Sequence, residues 1–175
     1  MSEVLLAKIE SIFEGRESTI ARDLKLNLQR LLQESQLPKE EALLVTLATA
    51  QSVGATALRD AARAELETSQ ISTEQIQEAV ESAAIMAMLN TYYRFKHMVG
   101  KEEDYRQAGL RMTALARPQL GKERFEMLAL AVSVLNGCEM CIKSHEKVLR
   151  DAGLSADKIH DIARLSAVVK GISAL

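Results

Sequence analysis

The sequence predicts an all-α protein of one domain, residues 1–175, and three observations predict it. Apolar residues recur at helical spacing: Leu24, Leu28, Leu31 and Leu32 stand at i, i+4, i+7 and i+8, the stripe of an amphipathic helix. No segment alternates apolar and polar residues long enough to make a strand. Only two prolines, Pro38 and Pro118, interrupt a chain rich in Ala and Leu. With 175 residues, 47% of them hydrophobic and 26% charged, the chain is long enough to bury one sizeable core.

The elements follow in order. Residues 1–36 form an N-terminal helical segment; Lys8, Glu10 and Glu14 break its apolar residues, so neither a signal peptide nor a membrane span is expected, and the expected location is cytoplasmic. Ser72-Thr73-Glu74-Gln75 is a capping box opening the next helix. Met86 and Met88 lie in an apolar run and are expected in the core, and Tyr92, Tyr93 and Phe95, beside Arg94 and Lys96, are expected to pack, with the lining of a cleft as the alternative. The run Lys101-Glu102-Glu103-Asp104 is expected to face solvent. Asn136-Gly137 splits two further helical patterns, Lys122 to Leu135 and Cys138 to Ala152. Gly153 stops the second of these just after Lys147 and Arg150, cations placed at the negative end of the helix dipole. Ile159, Ile162, Ala163 and Ser166 carry the stripe of the last helix.

The chain also repeats itself. A shift of 83 positions lays Leu37-Pro38-Lys39-Glu40 on Leu120-Gly121-Lys122-Glu123, Leu47-Ala48 on Leu130-Ala131, Gly54 on Gly137, and the segment 71–76 on 154–159. One constant offset without a gap is the signature of an internal duplication, with pseudo-repeats at about 37–90 and 120–175. Under the same shift Glu126, Cys138, Cys141 and His145 fall on Leu43, Ala55, Leu58 and Ala62. The helical frame is present twice and the polar set once, so one site per chain is expected.

That polar set has a geometry. Only two cysteines occur, three residues apart, which excludes a disulfide-stapled scaffold and points to redox or metal chemistry. If a helix begins after Asn136-Gly137, Cys138 sits at its N-terminus, where free N–H groups favour a thiolate. Cys141 follows at i+3, with Cα atoms roughly 5 Å apart, a span a disulfide tolerates. His145 is four residues beyond Cys141 and shares its face, but lies roughly 10.5 Å along the axis from Cys138. Cys141 is therefore the base-assisted thiol and Cys138 the partner that closes the disulfide. Glu126 reaches His145 only if the chain reverses at Asn136-Gly137; on one continuous helix it would lie roughly 18 Å from Cys138. The chemistry this supports is attack of the Cys141 thiolate on a hydroperoxide, condensation of the sulfenic acid with Cys138, and reduction by an external dithiol.

Other readings of the same residues stay open. Cys138, Cys141, His145 and Glu126 are also four zinc-compatible ligands, which would make a zinc-stabilised helical module. The cysteines can be ordinary buried side chains, and Glu126 can pair with Lys147 instead. A general thiol-disulfide oxidoreductase or redox sensor would use the same pair. Covalent haem attachment is excluded because residue 142 is Ile. His97 and His160 fall outside the constellation and are expected to be structural or exposed. A net charge of −2 gives no reason to expect nucleic acid or an anionic membrane as partner.

Glu126, then Cys138-Glu139-Met140-Cys141, then His145 resembles the Glu-x11-Cys-x-x-Cys-x3-His motif of the AhpD alkyl hydroperoxidases, within the carboxymuconolactone decarboxylase-like superfamily. Segments 87–94 and 109–112 are similar too, and the resemblance runs from about Asp23 to the C-terminus. It implies an all-α fold with an internal repeat, a homotrimer, and an antioxidant peroxidase acting on organic hydroperoxides. By position, Cys141 would be peroxidatic, Cys138 resolving, and His145 with Glu126 a proton relay. It implies no bound cofactor or metal, reduction by a dihydrolipoyl group on a partner protein, and service to the peroxiredoxin AhpC. The superfamily's decarboxylases lack the paired-cysteine requirement, so the retained pair argues against that activity. Met140 stands where some relatives have a histidine, so no proton-handling role carries over to that position.

Overall fold

A computed structural model describes residues 1–101 and 103–175. Among the described residues there are eight α-helices, one short 3₁₀ turn (Thr113–Ala116) and no strand. The helices are α1 (Glu3–Ile12), α2 (Thr19–Glu34), α3 (Lys39–Val53), α4 (Thr56–Leu66), α5 (Thr73–Val99), α6 (Lys122–Asn136), α7 (Glu139–Asp151) and α8 (Ala156–Ile172). Among the described residues no helix is long and apolar enough to cross a membrane.

Sequence decides which helices lie inside. In α3 every residue from Glu41 to Ala50 is buried, and in α6 every residue from Met127 to Ser133. Helices apolar on all sides must be covered on all sides. Accordingly α3 and α6 pack on each other; α4, α5 and α8 close around α3, and α5, α7 and α8 around α6. The covering helices are one-faced. In α2 the predicted stripe buries Leu28, Leu31 and Leu32, and α7 buries only Cys141 and Leu149. In the N-terminal segment α1 packs on α4, and Ser2 Oγ donates to the buried Glu65 at 2.5 Å.

The helix starts keep the register of the sequence shift. Lys39 and Lys122, Thr56 and Glu139, and Thr73 and Ala156 are each 83 positions apart. α3 and α6 end alike, on Gly54 and Gly137 in the left-handed region at φ 72° and 62°. Each turn closes by the two backbone bonds of a Schellman motif: Gly54 N–H to Gln51 and Ala55 N–H to Ala50, then Gly137 N–H to Val134 and Cys138 N–H to Ser133. The capping box at Ser72 is formed in full, and α7 ends at Asp151 with Gly153 at φ 95°.

Met86 is buried, but Met88 is 36% exposed. Residues two apart point to nearly opposite sides of a helix, so an apolar run alone cannot bury both. α5 also runs nine residues past the expected repeat end at 90, to Val99, and stops at Gly100 with φ 66°. In the acidic run, Lys101, Glu103 and Asp104 are exposed, and Glu102 lies outside the described residues.

Candidate active site

The site is built at the α6–α7 turn. Gly137 reverses the chain, so α7 runs back along α6. Cys138 is the N-cap residue of α7, in extended conformation, and Cys141 lies in its first turn. The two sulfurs are joined in a disulfide with Cα atoms 5.3 Å apart. Both cysteines are buried, at 1% and 7% exposure.

His145 follows Cys141 by one turn on the same face. Its Nδ1 lies 2.7 Å from Glu126 Oε2, across from α7 to α6. A carboxylate accepts, so Nδ1–H donates, and in the neutral ring the lone pair is on Nε2. Both side chains are about a fifth exposed, at 20% and 21%. Lys147, the alternative partner of Glu126, pairs with Asp151 at 2.6 Å instead. Among the described residues no three His, Cys, Asp or Glu side chains are arranged to hold a metal ion.

Cys141 and His145 open on one cavity of about 350 Å³ between α5 and α7. Met86, Leu89, Tyr93 and Met140 form its apolar wall, and Met112 and Leu115 close it from the 3₁₀ segment. Cys138 is not among its lining residues. A larger cavity, about 760 Å³ along α5 near Met88, contains neither cysteine nor histidine. Tyr93 thus lines the site, while Phe95 is 46% exposed and stacks edge-on against Tyr105. Both outlying histidines are exposed, and His97 lies 3.7 Å from Glu139.

The structure adds polar side chains that spacing did not single out. Asn90, on α5 and 1% exposed, hydrogen-bonds Ser133 and Asn136 behind the cysteine turn. An amide directly after the apolar run Ile85 to Leu89 was the available signal: such a group is buried only with partners.

Fold and site together define a helical dithiol–disulfide protein in which one of two cysteines shares a cavity with a carboxylate-oriented histidine. Residues 105–175 match the carboxymuconolactone decarboxylase family. The chain is 45% identical over 170 residues to the alkyl hydroperoxide reductase AhpD of Anaeromyxobacter dehalogenans strain 2CP-1, covering 94% of this chain and 88% of that one. It is 42% identical over 151 residues to the protein of that name from Rhizorhabdus wittichii, covering 86% and 87%. The Mycolicibacterium smegmatis protein of that name is 38% identical over 154 residues, covering 87% and 86%. The chain belongs to the AhpD family.

Proposed function

We propose that this protein is an antioxidant thiol peroxidase that reduces organic hydroperoxides through the Cys138/Cys141 pair. The observation that carries the reading is the bond from His145 to Glu126 at 2.7 Å, with His145 and Cys141 lining one apolar cavity. The relatives' shared name, alkyl hydroperoxide reductase, supports the same reaction class.

In this reading His145 takes the Cys141 proton and Glu126 stabilises the imidazolium. The thiolate attacks the terminal peroxide oxygen; the O–O bond breaks, the alcohol leaves with a proton from His145, and Cys141 becomes a sulfenic acid. Cys138 condenses with it, releasing water and forming the disulfide. The apolar cavity wall suits an alkyl substituent. An external dithiol of the dihydrolipoyl type, carried on a partner protein, then reduces the disulfide by exchange. Service to the peroxiredoxin AhpC, assembly as a homotrimer and a cytoplasmic location belong to the same proposal.

The test is consumption of cumene hydroperoxide with dihydrolipoamide as reductant, against thioredoxin. Turnover with dihydrolipoamide and its loss in Cys141→Ser are the expected results. Disulfide exchange without peroxide consumption would leave a general thiol-disulfide oxidoreductase. Light scattering checks assembly: a mass near three times the 19.3 kDa chain is expected, and the chain mass alone refutes the trimer.

A further inference from the structure

The turn that carries Cys138 is tied to α5 by side chains that its counterpart in the first half does without. Asn90 donates from Nδ2 to Ser133 Oγ at 2.9 Å and accepts from Asn136 Nδ2 at 3.0 Å. One helical turn along α5, Arg94 donates to the Asn136 carbonyl at 2.6 Å. The Ser133 carbonyl in turn accepts the Cys138 N–H at 3.2 Å. Asn90 and Ser133 are 1% and 0% exposed.

The counterpart turn shows what the fold requires. At Gly54 the same backbone closure forms, Ala55 N–H to Ala50 at 2.9 Å, with Ala50 and Val53 where the second half has Ser133 and Asn136. A left-handed glycine and backbone bonds close it there, with one side-chain bond across the turn, Arg59 to Gln51 at 3.3 Å, and among the described residues no buried amide or hydroxyl bonded to it. A buried amide and hydroxyl are desolvated on folding, and replacing both partners of such a bond by apolar groups can be nearly neutral. The polar chain is therefore surplus to the turn, and it sits behind the cysteine that only this half carries.

We propose that Asn90 is a positioning residue which, through Ser133 and Asn136, holds the Cys138 thiol against Cys141 while the disulfide is open. The proposal rests on the dithiol–disulfide reading of the pair. In the closed form the S–S bond itself fixes Cys138; in the dithiol or sulfenic form only the turn does. Closure forms the S–S bond, breaks the Cys141 S–O bond and releases water with the Cys138 proton. Its rate, and the equilibrium of the pair against an outside thiol, scale with the effective concentration of Cys138 at Cys141. A loosened turn lowers both, and a waiting sulfenic acid takes a second oxygen from another hydroperoxide to become sulfinic acid.

The experiment equilibrates the full-length protein in glutathione redox buffers and counts free thiols by alkylation. Asn90→Leu, similar in volume, is expected to lower the effective concentration of the pair about tenfold, from the loss of two buried hydrogen bonds. Under excess cumene hydroperoxide, mass spectrometry is expected to show a larger sulfinic fraction at Cys141. Ser166→Ala, which removes a buried hydroxyl bonded at 2.8 Å to Ile162 on α8, is the control and should lower stability while moving neither readout. A folded Asn90→Leu protein with the wild-type exchange equilibrium overturns the proposal. If that variant does not fold, Arg94→Met decides: it removes only the bond to the Asn136 carbonyl, with about a threefold shift in the same direction expected and no shift overturning the idea. The exchange equilibrium contains no peroxide, so it reads the positioning even if the wild-type protein consumes no hydroperoxide.

Discussion

Glu126 meets His145 at Nδ1, and in the proposed mechanism that single contact is what would make a base of a partly exposed histidine. A glutamine at 126 can still accept from Nδ1–H, so it keeps the ring orientation but cannot compensate the charge of an imidazolium. Glu126→Gln is expected to slow hydroperoxide-driven disulfide formation by at least about 100-fold, the low end of what a positioned acid–base group contributes. Stopped-flow traces of disulfide formation against pH check this. A pair of only structural value would leave the rate unchanged and alter stability little. This meeting was legible in the sequence because helix geometry converts spacing into distance: i+4 puts His145 over Cys141, and a reversal at Asn136-Gly137 brings Glu126 level with them. Met88 was misplaced because an apolar run was taken without its helical phase. The apolar run that Asn90 follows marked its burial but not its partner, because Ser133 lies 43 residues away, and no local spacing marks a tertiary hydrogen bond.

Between elements, the most informative contacts are carboxylates that hold the chain just before a central helix. Asp161 on α8 accepts from the Gln36 N–H at 2.6 Å, ahead of α3, and pairs with Arg164. Glu78 on α5 accepts from the N–H groups of Gln119 and Leu120 at 2.9 and 2.7 Å, ahead of α6. Burial would push the Asp161 carboxyl up, but Arg164, the Gln36 N–H and the charge of His160 outweigh it and hold it below the ordinary value. A folded value below the unfolded one stabilises above the unfolded value, and that contribution is lost as pH falls through the folded one. Asp161→Ala is therefore expected to lose about 1–3 kcal/mol at pH 7, where it leaves the Gln36 N–H and Arg164 without their partner. Urea denaturation of both proteins should show the gap narrowing below pH 4. A gap independent of pH would assign the loss to packing instead. The sequence marked both segments through Leu37-Pro38 and Leu120-Gly121, but not the carboxylates, because each acts on the opposite half of the chain.

At the scale of the molecule, those two carboxylates occupy corresponding positions under the 83-position shift, as do Gln36 and Gln119. Each half's last helix holds the entry to the other half's first. With the common helix starts, this supports an internal duplication, which we propose as the origin of the frame. The helices were legible because stripes, caps and turns are local; the reciprocal holding of one half by the other was not, since it is a property of the packed pair. If the frame is duplicated, its first half should accept the second half's cysteines. Ala55 is the N-cap residue of α4 as Cys138 is of α7, with φ, ψ of −77°, 70° against −89°, 91°. In a chain whose own cysteines are changed to serine, Ala55→Cys with Leu58→Cys is expected to close a disulfide, measured as loss of alkylatable thiols. The same protein should consume no hydroperoxide, because Leu43 and Ala62 stand where Glu126 and His145 would be needed. Peroxide turnover there would mean that two cysteines on this frame suffice and that Glu126 and His145 are dispensable. Failure of the disulfide to close would mean that the two turns differ where their backbone bonds look alike.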